Sequence, residues 1–405
     1  LNLSATENSF PAHLNWSQVQ STNILKYNIY RDNSTPATTY IASVISSAGQ
    51  DTFFADKTVE ENTTYYYRIT AEDFTENISG FSNEVYITTG IRPTWYVSTS
   101  GNDSNDGSSA NPFKTVQKAI DTSYGVRDTI LILPGTYMEN VSINEGKYLV
   151  IGSNYMRDND TSNVSTTIID GNQIGSPIAI NDSTAVIKLI GLTISGGKDQ
   201  DAMSNGSGIY TSYADSIILD QMIVKDNESN SYGGGIYCQN TNYLSIGNSW
   251  IHNNSSNSYG GGISVRDNVH YFELYNSIIS SNNSTDTYAN GGGIEIDYVD
   301  KAILRNNVIA FNTSYGRPGL YYSAFEDSLL LLNNIFYSNY AYDDWENDVQ
   351  ADRQYIVAIS NYFDESDNAA MYNYGRDTLN INVNRNPFIN SGANYFSLSD
   401  YSSAI

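Results

Sequence analysis

The chain has 405 residues and a formal net charge of −24, with 20 Lys and Arg against 44 Asp and Glu. That balance excludes a nucleic-acid partner, whose phosphates demand clustered cations, and no apolar run is long enough for a helical membrane span. The length calls for at least two domains, and the single cysteine, Cys238, excludes an internal disulfide and reads as a buried free thiol. A start at Leu1 without a basic-then-apolar leader reads as a processed product or a fragment.

Residues 1–90 hold short β-type runs between turn signals: Leu14-Asn15-Trp16, Tyr27-Asn28-Ile29-Tyr30-Arg31, and the long run from Tyr65 to Ala71. Strands at this spacing predict an antiparallel sandwich. These runs, with Ser82-Asn83-Glu84-Val85 leading into a last strand, resemble a fibronectin type III domain. The resemblance implies a corner tyrosine at Tyr65 and a core anchor at Trp16. Residues 91–94 then read as a linker.

Residues 95–121 (WYVSTSGNDSNDGSSANPFKTVQKAID) and 128–143 (DTILILPGTYMENVSI) follow. They closely resemble the start of right-handed parallel β-helix proteins, including polysaccharide lyase family nine. The resemblance implies a helix over 112–121 that caps the first coil. Helical spacing puts Phe113, Val116, Ala119 and Ile120 on one face, which suits that task. The acidic 101–107 loop departs from a calcium-binding EF-hand, since Gly107 stands two residues after Asn105. It reads as a polar turn ahead of the helix.

From Gly206 the chain repeats. GSGIY, GGGIY, GGGIS, GGGIE and GLYY place an apolar residue at Ile209, Ile236, Ile263, Ile294 and Leu320, in steps of 27, 27, 31 and 26. A period in this range predicts stacked coils, each unable to bury its apolar face alone. Two asparagine columns fix the register: Asn248, Asn276, Asn306 and Asn333, preceded by Asp220; and, six residues on, Asn254, Asn282, Asn312 and Asn339, preceded by Asp226. Asparagine tolerates the left-handed backbone of a sharp turn, and its amide can bond to its equivalent one coil away, about 4.8 Å distant. The fold class is therefore all-β: a sandwich over 1–90 and a right-handed parallel β-helix over 95–405. The stretches 386–390, 396–398 and 402–405 resemble the closing segment of bacterial cell-surface β-helix proteins. That implies a type IX-like export route and an anchor beyond Ile405.

Chemistry is sparse in the sequence. The three histidines, His13, His252 and His270, lack metal-ligand spacing, and the glycine runs precede strands, which excludes a phosphate loop. A lyase resembling family nine needs a base and a calcium site. The matching loop offers Lys198 as the base with Asp199 and Asp201 as calcium ligands, although its acidity would keep the lysine charged. Glu295, Asp297 and Asp300 supply a carboxylate pair for glycoside hydrolysis, or a solvated outer face. Tyr232, Tyr259, Tyr288 and Tyr315 precede the glycine turns and suggest an aromatic platform for sugar rings, or rings stacked on one another.

The leading expectation is an extracellular or cell-surface adhesin or structural protein that contacts polysaccharide or a cell-surface glycan along the solenoid. The runner-up is a calcium-dependent, pectate-type lyase. A self-assembling filament or sheath subunit is the third. The cofactor expectation is calcium or none.

Overall fold

The computed structural model describes residues 1–342 except 8, 18–23, 46–51, 74, 76, 145, 199–207 and 324–327. Beyond these it describes 349–351, 356–359, 361–364, 376–378, 381–383, 388–389 and 397–398. The chain divides into two compact units, Leu1–Thr94 with Val126–Thr129, and Trp95–Gly125 with Ile130–Ile405.

The first unit holds two antiparallel sheets. Leu3–Ala5, Ala12–Trp16 and Phe53–Asp56 form one; Tyr40–Ile45, Ile24–Asp32, Thr64–Asp73 and Val85–Thr88 form the other, in that spatial order. Alternation along each strand sends Leu14, Trp16, Tyr27, Ile29, Tyr67, Ile69 and Ile87 into one core. Trp16 meets the edge of Tyr27 with ring centroids 5.2 Å apart. The Tyr65 hydroxyl accepts the Glu60 backbone N–H at 3.1 Å. Asp56 is buried, and it is held by Arg31 at 2.7 Å and the Tyr67 hydroxyl at 2.9 Å. A buried carboxylate persists only with such partners.

The second unit is a parallel β-helix. A ten-stranded sheet runs from Gly135–Met138 to Ile381–Val383, and every pairing along it is parallel. The glycine-flanked strands pair in the expected register: Ile209, Ile236, Ile263, Ile294 and Leu320 oppose one another in turn. All five are buried. The glycines before them are a packing requirement. A Cβ on Gly235 would stand 2.6 Å from the Gly262 carbonyl oxygen of the next coil. At Gly260 a φ of +66° adds a backbone penalty for any other residue.

Both asparagine columns form ladders. Asn248, Asn276, Asn306 and Asn333 all have positive φ, between 49° and 56°. Each donates its amide to the coil before it: Asn276 to Asn248, Asn306 to Asn276 and Asn333 to Asn306, each at 3.3 Å. The second column is buried and better bonded. Asn282 donates to Asn312 Oδ1 at 3.0 Å and to the Ile251 carbonyl at 3.0 Å. Its own Oδ1 accepts the Asn254 backbone N–H and side-chain amide, both at 3.0 Å. The group thus meets its full hydrogen-bonding capacity, as a buried amide must.

Two details depart from the sequence reading. The residue below Asn254 in the second ladder is Asn227, whose amide reaches Asn254 Oδ1 at 2.9 Å, and not Asp226. The reason is a one-residue shift: Asp220 pairs with Gly247, so Gln221 and Asp226 take the left-handed positions, with φ of 55° and 56°. A third ladder, Ser249, Ser277, Asn307, Asn334 and Asn361, also climbs the coils.

The helix is shorter than expected, Val116–Thr122, with Thr115 as its N-cap accepting the Lys118 N–H at 3.2 Å. Phe113 is buried ahead of it, paired as an isolated bridge with Val97. Val116, Ala119 and Ile120 join the solenoid core, so the helix closes the first coil as anticipated. The 101–107 loop serves that start. Asp103 accepts the Lys114 and Thr115 backbone N–H groups at 2.8 and 2.9 Å. Partial burial opposes its charge, but these donors hold its carboxyl below the usual range. Glu139 takes the next two N–H groups, of Val116 and Gln117. The helix N-terminus is thereby satisfied by two carboxylates, which its dipole favours.

Candidate functional site

The outer face of the glycine-flanked sheet carries the richest polar and aromatic arrangement among the described residues. Its geometry follows from strand alternation. Where Ile236, Ile263 and Ile294 point inward, the next residues point out, and so do those two further on. Register therefore aligns Tyr210, Tyr237, Ser264, Glu295 and Tyr321 in one outer row. Gln239, Arg266, Asp297 and Ser323 form a second.

Arg266 sits at the centre. Its Nη2 lies 3.2 Å from Asp297 Oδ2, its Nη1 3.6 Å from Glu295 Oε1, and its Nε 3.0 Å from Asp267 Oδ2. The guanidinium carbon stands 4.1 Å from the centre of the Tyr232 ring, a cation–π contact. Burial works against the Arg266 charge, yet Glu295, Asp267, Tyr232 and Asp297 outweigh it and hold the group above its usual range. Glu295 is 2% exposed and accepts the Ser264 hydroxyl. Burial pushes its carboxyl up to about 7, against the pull of Arg266 and Ser264. Burial also raises the half-buried Asp297.

A run of ring contacts passes through this centre. Tyr210 and Tyr237 stack at 5.7 Å and 5°, Tyr237 meets Tyr232 at 6.5 Å, Tyr232 and Tyr259 stack at 5.8 Å and 12°, and Tyr259 meets Tyr321 at 5.9 Å. The Tyr237 hydroxyl donates to Gln239 Oε1 at 2.7 Å. Five tyrosines, from the coils of Ile209, Ile236, Ile263 and Leu320, thus make one aromatic strip with a pinned cation beside it. Tyr237 is buried, while the half-buried Tyr210, Tyr232, Tyr259 and Tyr321 present the uncovered parts of their rings next to fixed hydrogen-bonding groups.

Residues 99–369, which contain all of this face, match the family described as protein of unknown function (DUF1565). The chain belongs to the DUF1565 family. No curated protein matches this DUF1565 chain. Among solved structures it is similar to the pectin methylesterase from Aspergillus niger, at 15% identity and a TM-score of 0.33, over 66% of this chain and 90% of that one. It is also similar to the family 28 exopolygalacturonase of Yersinia enterocolitica, at 10% identity and 0.24, over 89% and 92%. Pectate lyase PelI from Erwinia chrysanthemi follows at 12% and 0.19, over 94% and 90%. At these scores the likenesses carry no argument about what the DUF1565 chain binds.

The structure redistributes the residues singled out in the sequence. Tyr232 and Tyr259 stack on one another, but the row does not continue through Tyr288 and Tyr315. Tyr288 is 81% exposed, in the loop of the 31-residue repeat, and Tyr315 meets Tyr342 at 5.6 Å. Tyr321 takes the third place instead. Glu295 and Asp297 do share a face; Asp300 lies apart, with its Oδ2 2.6 Å from His270 Nδ1. Glu295 is also not the solvated outer charge that the sequence alternative allowed. Lys198 makes an ion pair with Glu228 at 2.7 Å, on the surface. Asp199 and Asp201 lie outside the described residues. Among the described residues no three His, Cys, Asp or Glu side chains gather to hold a metal ion.

Arg266, Tyr210, Tyr237 and Tyr321 were missed in the sequence. Their signal was present: they stand one or three places after the apolar residue of each glycine motif.

Proposed function

We propose that this DUF1565 protein is a non-catalytic glycan-binding protein, an adhesin or matrix component acting outside the cell, which holds polysaccharide along the strip from Tyr210 to Tyr321. The observation that carries this reading is the five-ring strip with Arg266 fixed beside it. The rings and the guanidinium are already positioned, so little ordering is needed on binding. The burial of Glu295 supports binding over turnover. A general acid must touch the departing oxygen, whereas this carboxyl faces Ser264 and Arg266.

The first unit fits the reading as a fibronectin type III-type spacer over 1–90, with 91–94 as linker and 95–405 as the β-helix. Its support is the three-plus-four strand arrangement, the Tyr65 hydroxyl on the Glu60 N–H, and Trp16 in the core.

The test is retention of the full chain in gels containing soluble polysaccharides. The Tyr232→Ala, Tyr259→Ala double variant should bind at least about tenfold more weakly, since an aromatic contact contributes roughly 1 kcal/mol beyond its buried area. Unchanged retention in that variant, or release of shortened product, would overturn the proposal.

A further inference from the structure

We infer that the tyrosine strip selects an uncharged glycan and turns away polyuronate chains; this rests on the glycan-binding reading above. The inference comes from the charge arrangement at the centre of the strip. One guanidinium, Arg266, is surrounded by three carboxylates, Asp267, Glu295 and Asp297, all within 3.6 Å of its nitrogens. Among the described residues no second lysine, arginine or histidine pairs with those carboxylates.

A uronate needs a cation with free donors. Arg266 has few to give: Nε and Nη2 are engaged by Asp267 and Asp297, Nη1 faces Glu295, and one face of the guanidinium plane is covered by the Tyr232 ring. An arriving carboxylate would instead meet acidic neighbours on a chain that already carries −24. Like charges at close range and partial burial repel strongly. A neutral pyranose meets no such cost. It can pack C–H groups against the exposed parts of the Tyr232, Tyr259 and Tyr321 rings and donate its hydroxyls to Asp297, half-buried beside Arg266. The arrangement suits a hydroxyl-rich, uncharged partner.

The experiment compares the full chain on gels of a neutral galactomannan or β-glucan and on polygalacturonate, with a chelator present, at low and at 0.15 M salt. Retention on a neutral polymer and none on polygalacturonate is expected, with the former lost in Tyr232→Ala, Tyr259→Ala. In Asp267→Asn, and separately in Asp297→Asn, the ratio of polygalacturonate to neutral-polymer affinity should rise about tenfold at low salt, because one repelling charge is removed at close range. Asp267 is the more exposed of the two, so its variant guards against misfolding in the other. Polygalacturonate bound as tightly as neutral polymer, and lost with the tyrosines, would overturn the selectivity while leaving glycan binding in place. No retention on any polymer would remove the glycan-binding reading, and the inference with it.

Discussion

Replacing Asn282 by Ala tests the ladder that sets the solenoid's register. The side chain makes four buried hydrogen bonds of 3.0 Å: two as donor, to Asn312 Oδ1 and the Ile251 carbonyl, and two as acceptor, from Asn254. Alanine removes all four and strands their partners in a place where water has no access. An unsatisfied buried group costs about 1–3 kcal/mol, and partial relaxation returns some of that. The net loss should be about 4 kcal/mol. Asn276 supplies the internal comparison. Its ladder bonds are 3.3 Å long at the surface, and its φ is 49°. Asn276→Ala should cost about 1 kcal/mol, chiefly from placing alanine in the left-handed region, and Asn276→Gly should recover most of it. Urea unfolding supplies the free energies, and hydrogen exchange of the flanking coils shows whether the opening is local, as expected of a structure whose repeats contact only their neighbours. Equal costs for Asn282→Ala and Asn276→Ala would refute the reasoning, because burial would then not decide the value of the amide.

Two further predictions concern titration and reactivity. Glu295 carries a carboxyl raised from 4.5 to about 7. The folded state therefore holds a proton that the unfolded chain gives up, and stability should fall as pH rises from about 4.5 to 7. Compared with Glu295→Gln, wild type should lose about 3 kcal/mol across that window; parallel stability curves for the two proteins would show that the carboxyl is not perturbed. Cys238 is buried, and burial pushes its thiol up to about 12. It should resist a thiol-specific disulfide reagent at pH 8 until denaturant is added, and rapid reaction in the native state would contradict its place in the core.

The coil architecture was legible because its signals are identities repeated at a fixed place. Glycines before Ile236, Ile263 and Ile294 are required by the close approach of the next coil, and the left-handed corners at Asn248, Asn276, Asn306 and Asn333 favour one residue type. The third ladder escaped notice because serine and asparagine share its task, so no single letter fills every place from Ser249 to Asn361. Asp226 misled for a related reason: it occupies the left-handed site that Asn253 fills one coil later, and the ladder residue is its neighbour Asn227. The helix starts later than the resemblance implied, since Asp103 and Glu139 fix its first turn at Thr115 and Val116.

The candidate face was half legible. Tyr232 and Tyr259 stood out because each precedes a glycine turn at equal distance, but the longer third repeat carries Tyr288 out of the row. Arg266 looked like an isolated surface cation along its own strand. Only the cross-strand register brings it between Glu295, Asp297 and the ring of Tyr232, and that register depends on the lengths of turns in neighbouring coils.

The most direct measurement is a crystal structure of the full chain with a bound neutral oligosaccharide. The account predicts sugar rings packed against the exposed parts of Tyr232, Tyr259 or Tyr321, with hydroxyls reaching Asp297. A sugar seated on another face of the solenoid, with these rings bare, would contradict it.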